Sequence, residues 1–327
     1  GIVAGTRWEE VPEDWVCPEC HVGKADFEML DISPYAEPVT GVSTPPVAVS
    51  VPVVPVAPRQ PIVIIGSGYA GYGLAQALRK ADPKVEICVL TQESGHLYSK
   101  PALSIGLSQG KSAEALSGES PLSIEKRMNI RVYPHCKVQG IDPVARRLRT
   151  SFGEMEYGQL VLASGAQPIR LPIRGETGAL LSVNNLQDYH GFRERLNGVQ
   201  RVAILGDGLI GCEFANDLAH NGFSVEVIGL GRWPMERLLP IEAGQVLQNA
   251  LSDLGVKWHL RNTVEAIESS GQSYVLKLAD GQTLAADLVL SAVGLRPDLT
   301  LAQNAGLAVG RGIQVNAQLQ TSAAGIY

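Results

Sequence analysis

The stretch Ile62-Val-Ile-Ile-Gly-Ser-Gly-Tyr-Ala-Gly71 decides the fold of this chain. Four apolar residues predict a buried strand, three glycines follow at the spacing Gly-x-Gly-x-x-Gly, and residues 69–80 predict a helix. The first Gly permits a tight turn, the second lets a diphosphate approach the backbone, and the third allows close helix–strand packing. The helix N-terminus adds N–H groups and a positive dipole end. The stretch therefore predicts a diphosphate cup made of Gly66, Ser67, Gly68, Tyr69, Ala70 and Gly71.

The same pattern recurs 140 residues later, from Gly66 to Gly206. In this second unit a strand is predicted at Arg201–Leu205, a helix at Leu209–His220 and another strand at residues 224–228. In the first unit the corresponding second strand is predicted at residues 85–90. A lone Gly-x-Gly-x-x-Gly also occurs in ordinary Gly-rich turns, but two copies in βαβ units predict two dinucleotide sites and parallel sheets. Such a pair suits a flavin and a nicotinamide, the two halves of a hydride transfer. The members of the second cup are Gly206, Gly208, Leu209, Ile210 and Gly211.

The ribose-binding positions of both units depart from the simple pattern. A carboxylate is expected where the second strand ends, yet Thr91 stands there in the first unit, with Glu93 two residues later. The second unit has Gly229, with Arg232 three residues later. The pattern leaves NADH and NADPH open, and the absence of a basic cluster favours NADH. Asp207 puts a negative charge inside the second cup, which weakens phosphate binding unless the side chain points away, so we expect an outward, solvated Asp207.

From residue 61 to residue 327 the chain resembles the FAD- and NAD-dependent pyridine nucleotide reductases, most closely the rubredoxin, ferredoxin and flavorubredoxin reductases. The stretches that carry the resemblance are Ile62-Val-Ile-Ile-Gly-Ser-Gly-Tyr-Ala-Gly71, Tyr98-Ser-Lys-Pro101, Leu160-Val-Leu-Ala-Ser-Gly165, Ile204-Leu-Gly-Asp-Gly-Leu-Ile-Gly-Cys-Glu213 and Ala292-Val-Gly-Leu-Arg-Pro297. The resemblance implies an α/β fold with two Rossmann-like βαβ domains, the NAD domain inserted into the FAD domain. We expect the FAD domain at residues 61–178 and 299–327 and the NAD domain at 179–298.

The resemblance also assigns roles to single residues. FAD falls to the first cup and NAD(P)H, with NADH favoured, to the second. Lys100 and Pro101 match positions that line the flavin ring, where a Lys stabilises negative charge; an ordinary surface Lys is the alternative. Glu213 matches a residue between nicotinamide and flavin; a carboxylate favoured by the helix dipole is the alternative. Other expected cofactor contacts are Glu93, Val138, Ala163, Ser164, Gly165 and Gly294.

The cysteines favour an acceptor other than a disulfide. Disulfide reductases of this superfamily carry a redox Cys pair, but Cys88, Cys136 and Cys212 have no partner at Cys-x-x-Cys spacing. We expect them to be small buried side chains. Five Cys, only two of them close in sequence, do not form a secreted disulfide framework and favour the cytoplasm. The flavin is therefore expected to release single electrons to an outside acceptor.

The N-terminal residues suggest that acceptor. Residues 8–20 and 23–27 resemble the second half of a rubredoxin, so Cys17 and Cys20 are expected to be two of the four thiolate ligands of one iron. Half of a zinc ribbon is the competing interpretation, and a thioredoxin-like motif is disfavoured because no βαβ pattern surrounds it. We assign residues 1–30 to the partial rubredoxin domain. Residues 31–60 hold seven prolines, a composition typical of a semi-rigid linker.

Composition excludes other classes of function. The net charge of −6 comes without a long basic run, which disfavours nucleic acid. The apolar segment 47–56 is too short to span a bilayer and is interrupted by prolines.

These features together predict an enzyme that passes hydride from NADH to FAD and then single electrons to a fused rubredoxin. Expected downstream partners are an oxygenase or an enzyme that reduces oxygen or peroxide. The alternatives are a ferredoxin, flavorubredoxin or nitrite reductase component, and a redox-sensing flavoprotein with poor turnover. The sequence begins without Met and both ends fall inside motifs, so we expect a fragment that holds FAD and iron weakly.

Overall fold

A computed structural model describes residues 10–15, 24 and 60–327. The chain divides into two units, Gly1–Ser50 and Val51–Tyr327. In the first unit the Lys24 amide donates to the carbonyl of Trp15 at 3.1 Å, and the Lys24 ammonium donates to the carbonyl of Val11 at 2.7 Å. The predicted iron ligands Cys17 and Cys20, like residues 31–59 of the predicted linker, lie outside the described residues.

The second unit consists of parallel sheets, helices and antiparallel ribbons. Its strands are β1 (Ile62–Ile65), β2 (Ile87–Leu90), β3 (Arg131–Tyr133), β4 (Val138–Asp142), β5 (Arg147–Thr150), β6 (Gly153–Glu156), β7 (Gln159–Leu162), β8 (Ala166–Pro168), β9 (Arg174–Gly175), β10 (Leu180–Leu181), β11 (Arg201–Leu205), β12 (Ser224–Gly229), β13 (Lys257–Leu260), β14 (Val264–Ser270), β15 (Ser273–Leu278), β16 (Thr283–Ala286), β17 (Leu288–Ser291) and β18 (Leu295–Pro297). Its helices are α1 (Tyr69–Ala81), α2 (Ala113–Leu116), α3 (Pro121–Met128), α4 (Leu186–Arg195), α5 (Leu209–His220), α6 (Ile241–Asp253) and α7 (Thr300–Asn304), with short 3₁₀ turns at Lys100–Leu103 and Thr177–Ala179. None of these helices has both the length and the apolar composition needed to cross a membrane.

The first sheet has the strand order β3-β2-β1-β7, with every pair parallel. Its two central strands, β1 and β2, are continuous apolar runs. They are covered on both faces, by α1 and α3 on one side and by the β4–β6 ribbon on the other. The end of the chain comes back to this sheet. Leu160 of β7 donates to the carbonyl of Gly325 at 2.9 Å, and its own carbonyl accepts from the amide of Tyr327 at 2.8 Å.

The second sheet has the order β10-β17-β11-β12-β13 and is also parallel. Its α5 packs apolar side chains into a core that includes Phe192, Phe214 and Leu218. Leu103 and Leu116, which the sequence assigns to the first domain, pack in the same cluster. The segment around 100–116 therefore lies against the second domain.

The two domains are joined by a pair of antiparallel strands. β8 leads out of the first domain, β18 leads back, and Leu295 pairs with Pro168. Because the chain leaves the first sheet, builds the second and then returns, the predicted α/β fold with one inserted domain is confirmed. The exact boundaries at 178/179 and 298/299 stay predictions; β9, at 174–175, already pairs with β14 of the second domain.

Candidate dinucleotide sites and their junction

The backbone of the first cup leaves room for a ligand at one glycine only. Gly66 has φ +116°, and a Cβ there would overlap the carbonyl oxygen of Ala163. A Cβ on Gly71 would overlap the carbonyl oxygen of Gly66. Gly68 has an ordinary φ of −76° and no atom within 4 Å of a built Cβ. Two glycines are thus required by the protein's own packing, while the third borders open space that fits the diphosphate of a dinucleotide.

The second cup is built in the same way. Gly206 has φ +118°, and its built Cβ would meet the backbone of Ala292; that of Gly211 would meet the carbonyl of Gly206. Gly208 has φ −81° and open space around it. In both cups the N-cap residue is the middle glycine, so no side chain caps the helix. The first-turn N–H groups therefore lack a side-chain acceptor and can serve a phosphate.

A cleft of about 1350 Å³ opens at the first cup. This volume exceeds that of the usual pocket for a small ligand and suits a dinucleotide. Gly71 does not line the cleft because it faces the backbone of Gly66. The predicted residues that line it are Gly66, Ser67, Gly68, Tyr69, Ala70, Glu93, Lys100, Pro101, Val138, Ala163, Ser164 and Gly165.

The wall beside β2 is fixed by two side-chain hydrogen bonds. The buried hydroxyl of Ser67 donates to Thr91 Oγ1 at 2.8 Å. The phenol of Tyr98 donates to Glu93 Oε2 at 2.9 Å. Burial first, and then the charge of Glu93, raise the pKa of Tyr98 well above its ordinary value, so the phenol keeps its proton and donates. Glu93 is thus held at the cleft with one carboxylate oxygen engaged.

Lys100 and Pro101, which also line the cleft, begin a 3₁₀ turn. Lys100 is exposed, and among residues 60–327 its ammonium forms no ion pair. An unpaired cation on the cleft wall is available to a negatively charged group of a ligand.

Residues of the crossing between the domains also line the cleft, among them 163–167 and Asp298. The Ala163 amide continues the sheet by donating to the Ile65 carbonyl at 2.8 Å. Sequence reasoning missed Asp298, whose carbonyl accepts from the Ser164 hydroxyl at 3.3 Å and whose carboxylate accepts from Gln167 at 2.6 Å. These contacts tie the outgoing strand to the returning one.

Gly294, predicted to lie where the last strand of the NAD domain approaches the cofactor, lies at the same crossing. It has φ +109° and accepts a hydrogen bond from the amide of Ile169 at 3.1 Å. Neither Gly294 nor the second-cup residues line the first cleft.

Glu213 connects the second cup to the first cleft. It stands in α5, two residues after Gly211 and just past the first turn, and its carboxylate accepts a hydrogen bond from the Ser104 hydroxyl. The same hydroxyl lies 3.0 Å from the carbonyl oxygen of Pro101, which lines the first cleft. The side chain of Ser104 therefore contacts both Glu213, in the helix of the second cup, and Pro101, in the wall of the first cleft.

Asp217 strengthens this junction and was missed by sequence reasoning. It is only 2% exposed, and it accepts hydrogen bonds from the amides of Leu107 at 3.0 Å and Ser108 at 2.7 Å. The signal for it was present in the sequence: Asp217 follows Glu213 by four residues, so both carboxylates share one helix face. An acid beside the apolar residues of a buried helix needs a partner.

The expectation of a solvated Asp207 is wrong. Its side chain is half-buried, and Oδ2 accepts from the amide of Gly231 at 2.7 Å. A Cβ built on Gly229 would overlap this side chain. The carboxylate thus turns to the end of β12, because two glycines there leave space and one of them supplies a donor.

The three described cysteines are buried and form no disulfide, as predicted. Burial, followed by the charges of Asp207 and Glu213, raises the pKa of the Cys212 thiol to about 12. Burial likewise raises the pKa of Cys88 to about 11. A thiol with so high a pKa is protonated at neutral pH and is a poor nucleophile.

Residues 60–327 match the family model described as pyridine nucleotide-disulphide oxidoreductase, which spans most of the chain. The chain belongs to this family. Residues 1–27 match the rubredoxin family model, which agrees with the resemblance of the N-terminal residues.

Named relatives in the family share the same stretch. The chain is 42% identical to a rubredoxin-NAD(+) reductase of Alcanivorax borkumensis over 271 residues, which cover 82% of this chain and 70% of the relative. It is also 42% identical to a nitric oxide reductase FlRd-NAD(+) reductase of Aeromonas hydrophila, over 80% of this chain and 67% of that protein. The crystal structure of a ferredoxin reductase from Rhodopseudomonas palustris superimposes with a TM-score of 0.75 at 29% identity, covering 82% of this chain and 67% of that one.

Proposed function

We propose that the chain transfers hydride from NADH to FAD and passes single electrons on to the iron of a rubredoxin. The observation that carries the proposal is the link from Pro101 through Ser104 to Glu213, which joins the wall of the first cleft to the helix of the second cup. Two dinucleotide rings must meet for hydride transfer, and this junction is where the two domains come together. Bound FAD would supply a ring that accepts hydride and releases electrons singly.

The residues of the chain would bind and orient the two cofactors. Gly68 and Gly208, with the helix N-termini behind them, would receive the two diphosphates. Lys100 would face the flavin ring and stabilise the negative charge that builds on it during reduction. Glu213, held by Ser104, would stand between the nicotinamide and flavin rings.

A rubredoxin acceptor is supported from two sides. The rubredoxin family model covers residues 1–27, and the relative from Alcanivorax borkumensis is named for the reduction of rubredoxin. Cys17 and Cys20 would supply two thiolate ligands of the iron. Segment 31–60 joins acceptor and reductase in one chain, which raises the effective concentration of the acceptor to roughly millimolar. A reducing, cytoplasmic compartment suits this thiolate-ligated iron and the three unpaired thiols.

The protonated Cys212 also favours an acceptor of single electrons over a disulfide. Reduction of a disulfide at the flavin requires a thiolate that attacks sulfur, and burial holds the pKa of Cys212 at about 12. An oxygenase, or an enzyme that reduces oxygen or peroxide, would take the electrons from rubredoxin. The equal identity to the Aeromonas hydrophila relative makes a flavorubredoxin the second candidate acceptor.

Anaerobic stopped-flow spectroscopy on the FAD-loaded chain tests the proposal, because flavin and ferric thiolate absorb in separable bands. With an intact rubredoxin that carries its own four-thiolate iron added as the acceptor, we expect NADH to bleach the flavin band first and the iron band of the added rubredoxin afterwards. Flavin bleaching without electrons reaching the added rubredoxin would reject the acceptor. Failure of NADH to bleach a bound flavin would reject the whole proposal.

A further inference from the structure

We infer that Asp207, a residue of the second cup, supplies the carboxylate that binds the adenosine ribose and thereby selects NADH over NADPH. The inference rests on the proposed function, in which the second cup holds the nicotinamide cofactor. In a βαβ unit of this kind the ribose carboxylate is expected at the end of the second strand. That strand, β12, ends here at Gly229, which has no side chain.

The space beside Gly229, where a side chain would stand, is filled by the side chain of Asp207 from the second cup. A Cβ on Gly229 would overlap the Cβ and carboxylate of Asp207, and a Cβ on Gly231 would approach Oδ2 of the same carboxylate. The two glycines and Asp207 therefore form one complementary arrangement. A carboxylate is still present at the strand end, although it comes from 22 residues earlier in the chain, 229 minus 207.

The carboxylate is fixed and still able to accept hydrogen bonds. Oδ2 accepts from the amide of Gly231 at 2.7 Å, which sets the rotamer. Among residues 60–327 this is the one hydrogen bond that the structure gives to the carboxylate. An ionised carboxylate has about four lone-pair sites, so acceptor capacity remains for the two hydroxyl groups of a ribose.

The surroundings disfavour a 2′-phosphate. A phosphate at the ribose would stand beside the negative charge of Asp207 and would be repelled. Arg232, one basic residue beside the strand end, is already engaged: its Nε lies 2.5 Å from Glu236 Oε1, and its backbone amide donates to Glu236 Oε2 at 2.8 Å. Its guanidinium also stacks over Trp233, 4.5 Å from the ring centre. The hydrogen bonds from Arg232 first, and the charges of Arg232 and Arg261 after them, hold the pKa of the Glu236 carboxyl below its ordinary value.

Direct binding tests the inference without any turnover. The probes are ADP-ribose and 2′-phospho-ADP-ribose, which lack nicotinamide and differ only in the phosphate, and their dissociation constants are measured by calorimetry on the full chain. The wild type should prefer ADP-ribose. Asp207→Asn keeps an oxygen for the amide of Gly231 but loses the charge, and should reduce this preference by about ten- to a hundredfold.

The matched control is Asp253→Asn, which removes the same charge in the same domain. Asp253 ends α6, just before β13 begins at Lys257, so it lies at the edge of the parallel sheet opposite the cups. The control should keep the wild-type preference. Asp207→Ser provides a second test if the asparagine variant unfolds at a lower temperature than the wild type.

The outcomes separate the inference from the proposed function. If the wild type binds ADP-ribose and a folded Asp207 variant keeps the full preference, the inference is overturned and the proposed function stands. A wild type that prefers the phosphorylated probe also overturns it. If the wild type binds neither probe, the assignment of the second cup to a nicotinamide cofactor fails, and the inference fails with it.

Discussion

Alanine substitutions at two glycines of the first cup should change the free energy of unfolding in opposite directions. Gly66 is required by the fold, whereas Gly68 is required by the ligand. Gly66→Ala places a Cβ against the carbonyl oxygen of Ala163 at φ +116°. The strained backbone costs about 1–3 kcal/mol, and relief of the overlap costs about as much again. Gly66→Ala should therefore lower the free energy of unfolding by roughly 2–6 kcal/mol.

Gly68→Ala adds the same methyl group where nothing lies within 4 Å and φ is −76°. Loss of unfolded-state entropy stabilises such a variant by about 0.4–1 kcal/mol. The methyl group instead fills the space through which a diphosphate would approach the helix N-terminus. Weakening of charge-assisted hydrogen bonds there should lower the affinity for FAD by at least about tenfold.

Both variants are compared by urea unfolding of the flavin-free chain, followed by far-ultraviolet circular dichroism, and by FAD titration. Gly208→Ala is the matched control, since it makes the same change in the second cup with open space around it. It should change stability by the same small amount as Gly68→Ala, leave FAD binding unchanged and weaken ADP-ribose binding. The reasoning is refuted if Gly66→Ala is as stable as Gly68→Ala, or if Gly68→Ala binds FAD as tightly as the wild type.

Three further substitutions or treatments address the junction and the core. Asp217→Asn leaves one oxygen for two backbone amides and should lower the free energy of unfolding by about 1.5–3 kcal/mol, seen as a lower urea midpoint; an unchanged midpoint would mean that this clamp adds nothing to stability. Hydrogen bonds from Arg201, first from its guanidinium, and from the Ser273 hydroxyl depress the pKa of Asp287. Its stabilising effect is therefore present above the unfolded pKa of about 3.9 and is lost as pH falls from there towards the depressed pKa. The difference in unfolding free energy between wild type and Asp287→Asn should shrink across that window, and a difference that grows on acidification would contradict the assignment. Because burial raises the pKa of Cys212 to about 12, maleimide should label it at neutral pH only after unfolding, whereas labelling of the native chain at the denatured rate would show that the site opens.

The cups could be predicted from the sequence because every interaction that defines them is local in the chain. Strand, glycines and helix follow one another within about twenty residues, and the glycine spacing encodes the turn. The junction could not be predicted in this way. Ser104 and Glu213 are 109 residues apart, and Leu107 and Asp217 are 110 apart. A carboxylate on a buried helix face predicts that a donor exists, but the pattern within one segment carries no information about which distant segment supplies it.

Helix α5 connects the second cup, which the sequence predicts, to the junction, which it does not. The N-terminus of α5 closes the second cup at Gly208, while Glu213 and Asp217, in the same helix, hold residues 104–108, which follow the cleft-lining Pro101. A helix of 12 residues transmits position with little deformation. Helix α5 therefore both binds a diphosphate at its N-terminus and sets the position of that diphosphate relative to Pro101. A chain with the glycine pattern but without these two carboxylates would still bind a dinucleotide, yet it would lose the link that orients that dinucleotide towards the first cleft.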